Sequence, residues 1–328
     1  MTCFPTLDQI VGHDAVVADL KQAMANDHPG HAHLFFGPPG VGKWTVAAAF
    51  AQALFCRRKP TPGASGCGGC PACLKVAADN HGDLVRVVMG EGKTRIGVDQ
   101  VRQLTAFFAL TPMEAPWKVA IMDDAASMNE AAANALLKTL EEPPSRSLLI
   151  LVTRQPGKLL PTIRSRCLKT RFSPLASAAL QRILATLTTL DAATLQEVMA
   201  AGRGNVGRIL AFSQGELLEL RRKFYQEMTG LPTATLAQLF TLAEQWGTPE
   251  KFAHIVPLLK IWLQERLHGV VLQTDRGTMA TRDSQEAWLK AIFWIEQLLR
   301  QAAEVNLNRR LVLEAVLIRL ARLQGAGY

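Results

Sequence analysis

One stretch, Gly37-Pro38-Pro39-Gly40-Val41-Gly42-Lys43-Trp44, constrains this chain more than any other. It follows an apolar run, Leu34-Phe35-Phe36, and precedes a helix-like run, Thr45-Val46-Ala47-Ala48-Ala49-Phe50-Ala51. Strand, glycine-rich loop and helix in that order form the setting of a phosphate-binding P-loop. Its backbone N–H groups turn inward on an anion at a helix N-terminus. Gly37, Gly40 and Gly42 supply the turn, and Lys43 is the residue that reaches the β- and γ-phosphates. The next position should carry the hydroxyl that helps hold Mg²⁺, and it is Trp44. Thr45 stands about 100° further round the helix and is a poor substitute. The loop is suited to holding ATP or ADP, with or without Mg²⁺, and less suited to hydrolysing it.

Strands and helices alternate on both sides of this loop. Residues 84–88 read as a short β-branched strand and 98–110 as a helix. Lys118-Val119-Ala120-Ile121-Met122 is an apolar strand that ends in Asp123 and Asp124, where a carboxylate can hold Mg²⁺. Ser127-Met128-Asn129-Glu130 fits a capping box, with Ser127 and Glu130 closing the first turn of a helix. That helix buries Ala133, Leu136, Leu137 and Leu140 and stops before Pro143-Pro144. Another buried strand, 147–152, ends at Thr153. The alternation predicts a parallel sheet covered by helices. Beyond Phe172-Ser173-Pro174 strand signals stop. Residues 175–213 read as a small helical unit broken at Gly202-Arg203-Gly204-Asn205, and the chain from 215 onward is helical. Leu313, Val316, Leu317 and Leu320 make one apolar stripe there, and Trp288, Ile292 and Ile295 another.

A length of 328 residues predicts two or three domains, and 48% apolar with 20% charged residues excludes disorder as the default. The longest apolar runs, such as 148–152, fall far short of a membrane span, and the first residues carry no basic and apolar leader. The expectation is a cytoplasmic protein with no membrane partner. The net charge of +8, from 36 basic against 28 acidic residues, permits contact with nucleic acid without requiring it.

Cys56, Cys67, Cys70 and Cys73 are separated by ten, two and two residues, in and just before a Pro/Gly-rich insert. Four thiolates meet the tetrahedral preference of a structural zinc ion and leave no position open for water. Gly66, Gly68 and Gly69 let the loop wrap closely round the metal. An iron–sulfur cluster is also chemically open to four cysteines, but no redox motif accompanies these. Cys3 and Cys167 stand outside the set.

Taken together, the P-loop, Asp123-Asp124, the run Asn-Glu-Ala-Ala-Ala-Asn-Ala-Leu-Leu-Lys-Thr-Leu-Glu-Glu-Pro-Pro over residues 129–144, and Ser165-Arg166-Cys167 resemble a bacterial clamp-loader subunit of the AAA+ class. Within that class the altered P-loop and paired aspartates are most similar to the delta-prime branch of DNA polymerase III. The resemblance covers residues 10–172 and implies a RecA-like α/β core over 1–172 with a zinc-binding insert at 56–73. It further implies a three-helix lid over 173–214 and an all-α collar domain for oligomerisation over 215–328. Thr153 would sense the γ-phosphate and Arg208 would be the lid arginine that touches nucleotide in cis. The glutamate that orients water in active relatives is here Asp124, one methylene shorter. Arg166 would act in trans as an arginine finger on a neighbour's ATP site, an effect worth roughly 10³–10⁵-fold in rate.

The function implied is a non-motor subunit in a hetero-pentamer with motor (gamma/tau) and delta subunits. It would help load a sliding clamp onto primer-template DNA during replication. Its own ATPase would be weak or absent, and it would count as part of a DNA-directed DNA polymerase, a nucleotidyltransferase, through complex membership. Lys43 and Arg208 keep a second reading open, an active AAA+ ATPase with its own turnover. A third, a free-standing DNA-binding protein, would need a denser basic face than this sequence carries.

Overall fold

In a computed structural model the described residues are 4–325, apart from 91–93, 189, 203, 213–214, 275–279 and 305–306. Cys3 and Arg203 of the expected helical break lie outside them. The chain divides into two units, Met1–Leu210 and Ala211–Tyr328.

The first unit is built on five strands: β1 (Ala32–Phe36), β2 (Leu84–Val87), β3 (Lys118–Met122), β4 (Ser147–Thr153) and β5 (Leu168–Arg171). All pair in parallel, in the order β2-β3-β4-β1-β5. Side chains alternate between the sheet's faces with a period of two. Phe35, Val119, Ile121, Leu148, Ile150 and Val152 point to a core shared with helices α1 (Asp14–Ala25) and α2 (Lys43–Phe55). Leu34, Ala120, Met122, Leu149 and Leu151 point to a second core. Helices α4 (Val98–Ala109), α5 (Glu130–Glu141) and α6 (Pro161–Ser165) close that side, while α3 (Pro71–Ala77) follows the cysteine-rich insert. Burial on both faces explains why β3 and β4 read as continuous apolar runs.

One local expectation is corrected. The helix after β3 is capped by Asn129, whose Oδ1 accepts the Ala132 N–H at 2.8 Å, and not by Ser127 with Glu130. Ser127 instead ends a 3-10 turn, two residues ahead of the cap. Strand β5 and helix α3 gave no sequence signal. β5 is an edge strand with Leu168, Lys169 and Arg171 exposed, so it lacks an apolar run. Three short helices complete the unit's order: α7 (Ser177–Leu187), α8 (Ala192–Gly202) and α9 (Val206–Phe212), the last running into the second unit's residues.

The second unit holds α10 (Gly215–Gly230), α11 (Leu236–Trp246), α12 (Pro249–Thr274), α13 (Ala280–Glu304) and α14 (Arg309–Leu323). Leu239, Leu242, Ala243 and Trp246 of α11, and the expected stripe Leu313, Val316, Leu317 and Leu320 of α14, are buried. Tyr225 of α10 donates to Glu265 of α12 at 2.8 Å. No described helix is long and apolar enough to cross a membrane.

Candidate functional site

The P-loop joins β1 to α2, at the ends of the strands where Asp123, Asp124 and Thr153 also emerge. Gly37 has φ 151°, and an added Cβ would lie 2.2 Å from the Phe172 carbonyl oxygen, so only glycine fits. Its N–H donates to the Thr153 carbonyl at 3.3 Å, and the Thr153 hydroxyl accepts the Gln155 N–H at 3.0 Å. His13 Nε2 donates to the Val41 carbonyl at 2.7 Å and steadies the loop from α1's side. Gly42 caps α2 in a left-handed conformation, and Thr45 is half-buried in the first turn beyond it.

Lys43 turns back on its own loop. Its ammonium donates to the Gly37 carbonyl at 2.8 Å and to the Pro38 carbonyl at 2.5 Å. Burial holds its pKa below the ordinary lysine value, against the pull of the Asp123 and Asp124 carboxylates. Across the loop, the Val206 N–H donates to the Gly40 carbonyl at 2.9 Å. The Asn205 side chain sits so close that a Cβ on Gly40 would lie 1.7 Å from its Oδ1. That same oxygen caps α9 by accepting the Arg208 N–H at 2.9 Å, which brings the expected lid arginine's backbone to the P-loop.

Trp44 and Asp123 are joined by a residue that sequence reasoning missed. The Arg86 guanidinium from β2 lies 4.2 Å from the centre of the Trp44 ring and reaches Asp123 Oδ2 at 3.5 Å. A second acidic group, Asp79, stands 3.9 Å from it. A P-loop ATPase uses a hydroxyl and a carboxylate here to hold Mg²⁺. This chain has an aromatic face and a carboxylate that together hold a fixed cation of its own. Asp124 adopts φ 50°, tolerable for Asp, and begins the 3-10 turn before α5. With Lys43 bonded to backbone carbonyls, Asn205 against Gly40 and Arg86 on Asp123, the residues do not fit a magnesium nucleotide as arranged.

Arg166 follows α6. Its guanidinium pairs with Glu141 Oε1 at 2.8 Å and donates to the Thr162 carbonyl at 3.0 Å. The Leu-Glu-Glu-Pro-Pro motif thus supplies the carboxylate that holds the Ser-Arg-Cys arginine. Both side chains are solvent-exposed by a third or more, which leaves the guanidinium reachable from outside the chain.

The cysteines converge. Cys56 ends α2, Cys70 caps α3 and Cys73 lies within it, and the sulfurs of these three and Cys67 all fall within 4.8 Å of one another. Four ligands about 2.3 Å from a central zinc would be spaced about 3.8 Å apart, and Cys56 and Cys70 are 3.9 Å apart. The Cys67 N–H donates to Cys56 Sγ at 3.3 Å, the kind of bond that stabilises a thiolate. The donor set and its spacing fit a structural zinc ion. Behind it, Lys75 of α3 pairs with Glu114, tying the module to the loop before β3. That loop is pinned by Asp83, which accepts N–H bonds from Met113, Glu114 and Ala115 at 2.7–2.9 Å and pairs with buried Lys118 at 3.3 Å.

Comparison with known proteins follows the same residues. A family model described as "DNA polymerase III, delta subunit" matches residues 12–176. DNA polymerase III subunit delta' of Pseudomonas aeruginosa is 34% identical over 314 residues, covering 90% of this chain and 93% of that one. The delta' subunit of Escherichia coli is 31% identical, covering 78% and 77%. A DNA polymerase III gamma/tau subunit of Mycobacterium bovis is 36% identical over 204 residues, 60% of this chain and 34% of the relative.

Proposed function

Because the chain belongs to the family of DNA polymerase III delta' subunits, we propose that it serves a clamp loader as a subunit without a working ATPase of its own. The observation that carries this reading is the Arg86 guanidinium seated between Trp44 and Asp123, where a motor subunit would hold its metal. The P-loop glycines, Lys43 and the paired aspartates then act as a structural joint between core and lid. Trp44, Thr45, Thr153 and Arg208 keep the positions of a nucleotide site without its turnover. Arg166, braced by Glu141 and open to solvent, suits donation to a neighbouring subunit's ATP site, where a guanidinium stabilises charge on the transferring phosphoryl group.

The division we propose is a core to residue 172, a three-helix lid over 173–214 and a collar over 215–328. The collar assignment is supported by Leu289 and Phe293, which lie one turn apart on α13 and are 53% and 64% exposed. The partners are motor (gamma/tau) and delta subunits in a hetero-pentamer in the cytoplasm, acting on a sliding clamp and primer-template DNA. Cys56, Cys67, Cys70 and Cys73 would hold zinc, which contributes folding stability to the insert and no chemistry.

The test is DNA- and clamp-stimulated ATP turnover in the reassembled loader. Arg166→Ala is expected to remove a large part of it and Lys43→Ala little. Loss of a stoichiometric share with Lys43→Ala, alongside a silent Arg166→Ala, would instead make the chain a motor.

A further inference from the structure

A cleft of about 370 Å³ opens at the end of the sheet away from the P-loop. Trp117 and Arg146, which line it, directly precede β3 and β4, whereas Asp123 and Thr153 lie at those strands' other ends. Its floor is apolar, with Leu54 and Phe55 from the last turn of α2. Its rim is basic: Arg57, Lys59 and Arg146 face a single carboxylate, Asp27.

These charges are not equally engaged. Lys59 donates to the Ala53 carbonyl at 2.9 Å, and burial holds its pKa below the ordinary lysine value against the pull of Cys56 and Asp27. Arg57 donates to the Glu114 carbonyl, which uses one of its five N–H groups. Arg146 lies 5.7 Å from the Trp117 ring centre. Among the described residues neither arginine has a carboxylate within ion-pair distance.

Arg146 carries a second and independent mark. Its φ is 53°, the left-handed region where a Cβ crowds the backbone and where glycine or asparagine is normally found. The strain sits on the residue that presents to the cleft a guanidinium with no carboxylate partner among the described residues. Strained backbone retained at an exposed polar residue points from geometry to function.

We propose that this cleft binds an acidic peptide segment of a partner protein. An apolar side chain of the segment would enter over Leu54 and Phe55, with flanking carboxylates on Arg57 and Arg146. Single-stranded nucleic acid is the less favoured occupant. Leu54 and Phe55 offer no polar edge to read a base, the Trp117 ring is already faced by Arg146, and two arginines do not make a phosphate track. The volume suits one large side chain and its neighbours.

The probe is a fluorescein-labelled decapeptide of Asp and Glu with one central Phe, titrated against the full chain and read by anisotropy. Saturable binding is expected, weakened at least about tenfold by Arg146→Gly, by Arg57→Glu and by Phe→Ala in the peptide. Arg146→Gly should also melt at or above the wild-type temperature, because glycine relieves the backbone; a merely structural arginine would melt lower. Arg57→Glu, at an exposed position, keeps the test decisive should the glycine variant misfold. The proposal fails if no saturation is reached by about 1 mM peptide, or if both variants bind like wild type. It fails equally if a labelled ten-nucleotide oligothymidylate binds instead and loses affinity in the same variants.

Discussion

Arg166 and Glu141 are joined at 2.8 Å across the gap between α6 and α5, and both remain exposed. An exposed pair of this kind contributes only about 0–1 kcal/mol to folding. Arg166→Ala should therefore leave the melting temperature of the isolated chain within a few degrees of wild type. Its effect is expected in the assembled loader. A variant that loses loader turnover together with its own fold would count against a trans role.

Arg86 and Trp44 give a second prediction. Replacing both, Trp44→Thr with Arg86→Ala, returns a hydroxyl to the P-loop and frees Asp123. Calorimetric titration with ADP is expected to show binding that is tighter in the double variant than in wild type and strengthened by Mg²⁺. An unchanged isotherm would mean that Lys43 and Asn205, and not the fixed cation, set the site's properties.

Metal content tests the cysteine set. Gently purified protein should contain about one zinc per chain, and Cys73→Ser, which removes a fully buried ligand, should cut that severely. Chelation should lower the melting temperature because binding energy of a structural site is folding energy. A chain that melts identically with and without chelator would remove zinc from the account.

Asp83 predicts a pH dependence. Three backbone N–H bonds and the Lys118 ammonium outweigh its burial and hold its carboxyl below the ordinary aspartate value of 3.8. A depressed folded pKa contributes stability that is fully present above the unfolded value and lost as pH falls through the folded one. Urea unfolding should therefore show this contribution at pH 7 and its loss below about pH 4. Asp83→Asn leaves Lys118 charged and buried, which costs on the order of 3–5 kcal/mol at neutral pH. The variant should also be less sensitive to acid. Equal midpoints at pH 7 for variant and wild type would refute the assignment.

Much of the molecule is legible in its sequence. The glycine pattern with Lys43, the four cysteines and the buried runs of β3 and β4 each carry their meaning within a short window of chain. Local rules such as phosphate-loop backbone, tetrahedral sulfur spacing and two-faced burial apply inside such windows. Edge strand β5 escaped because its exposed Leu168, Lys169 and Arg171 leave no apolar run. The cap on α5 is Asn129 and not Ser127 because Ser and Asn are both good caps, and which of them precedes the first helical turn depends on the backbone.

What the sequence by itself determined was the α/β plan, the P-loop, the set of four cysteines and the motif that carries Arg166. Only the tertiary structure decided that Arg86, from another strand, pairs with Asp123, and that Asn205 from the turn before α9 closes on Gly40. It also decided that Arg146 takes a left-handed backbone beside Trp117. The physical reason is range. Propensity and periodicity act between near neighbours, whereas a charge's partner is set by whichever distant strand packing brings within a few ångströms.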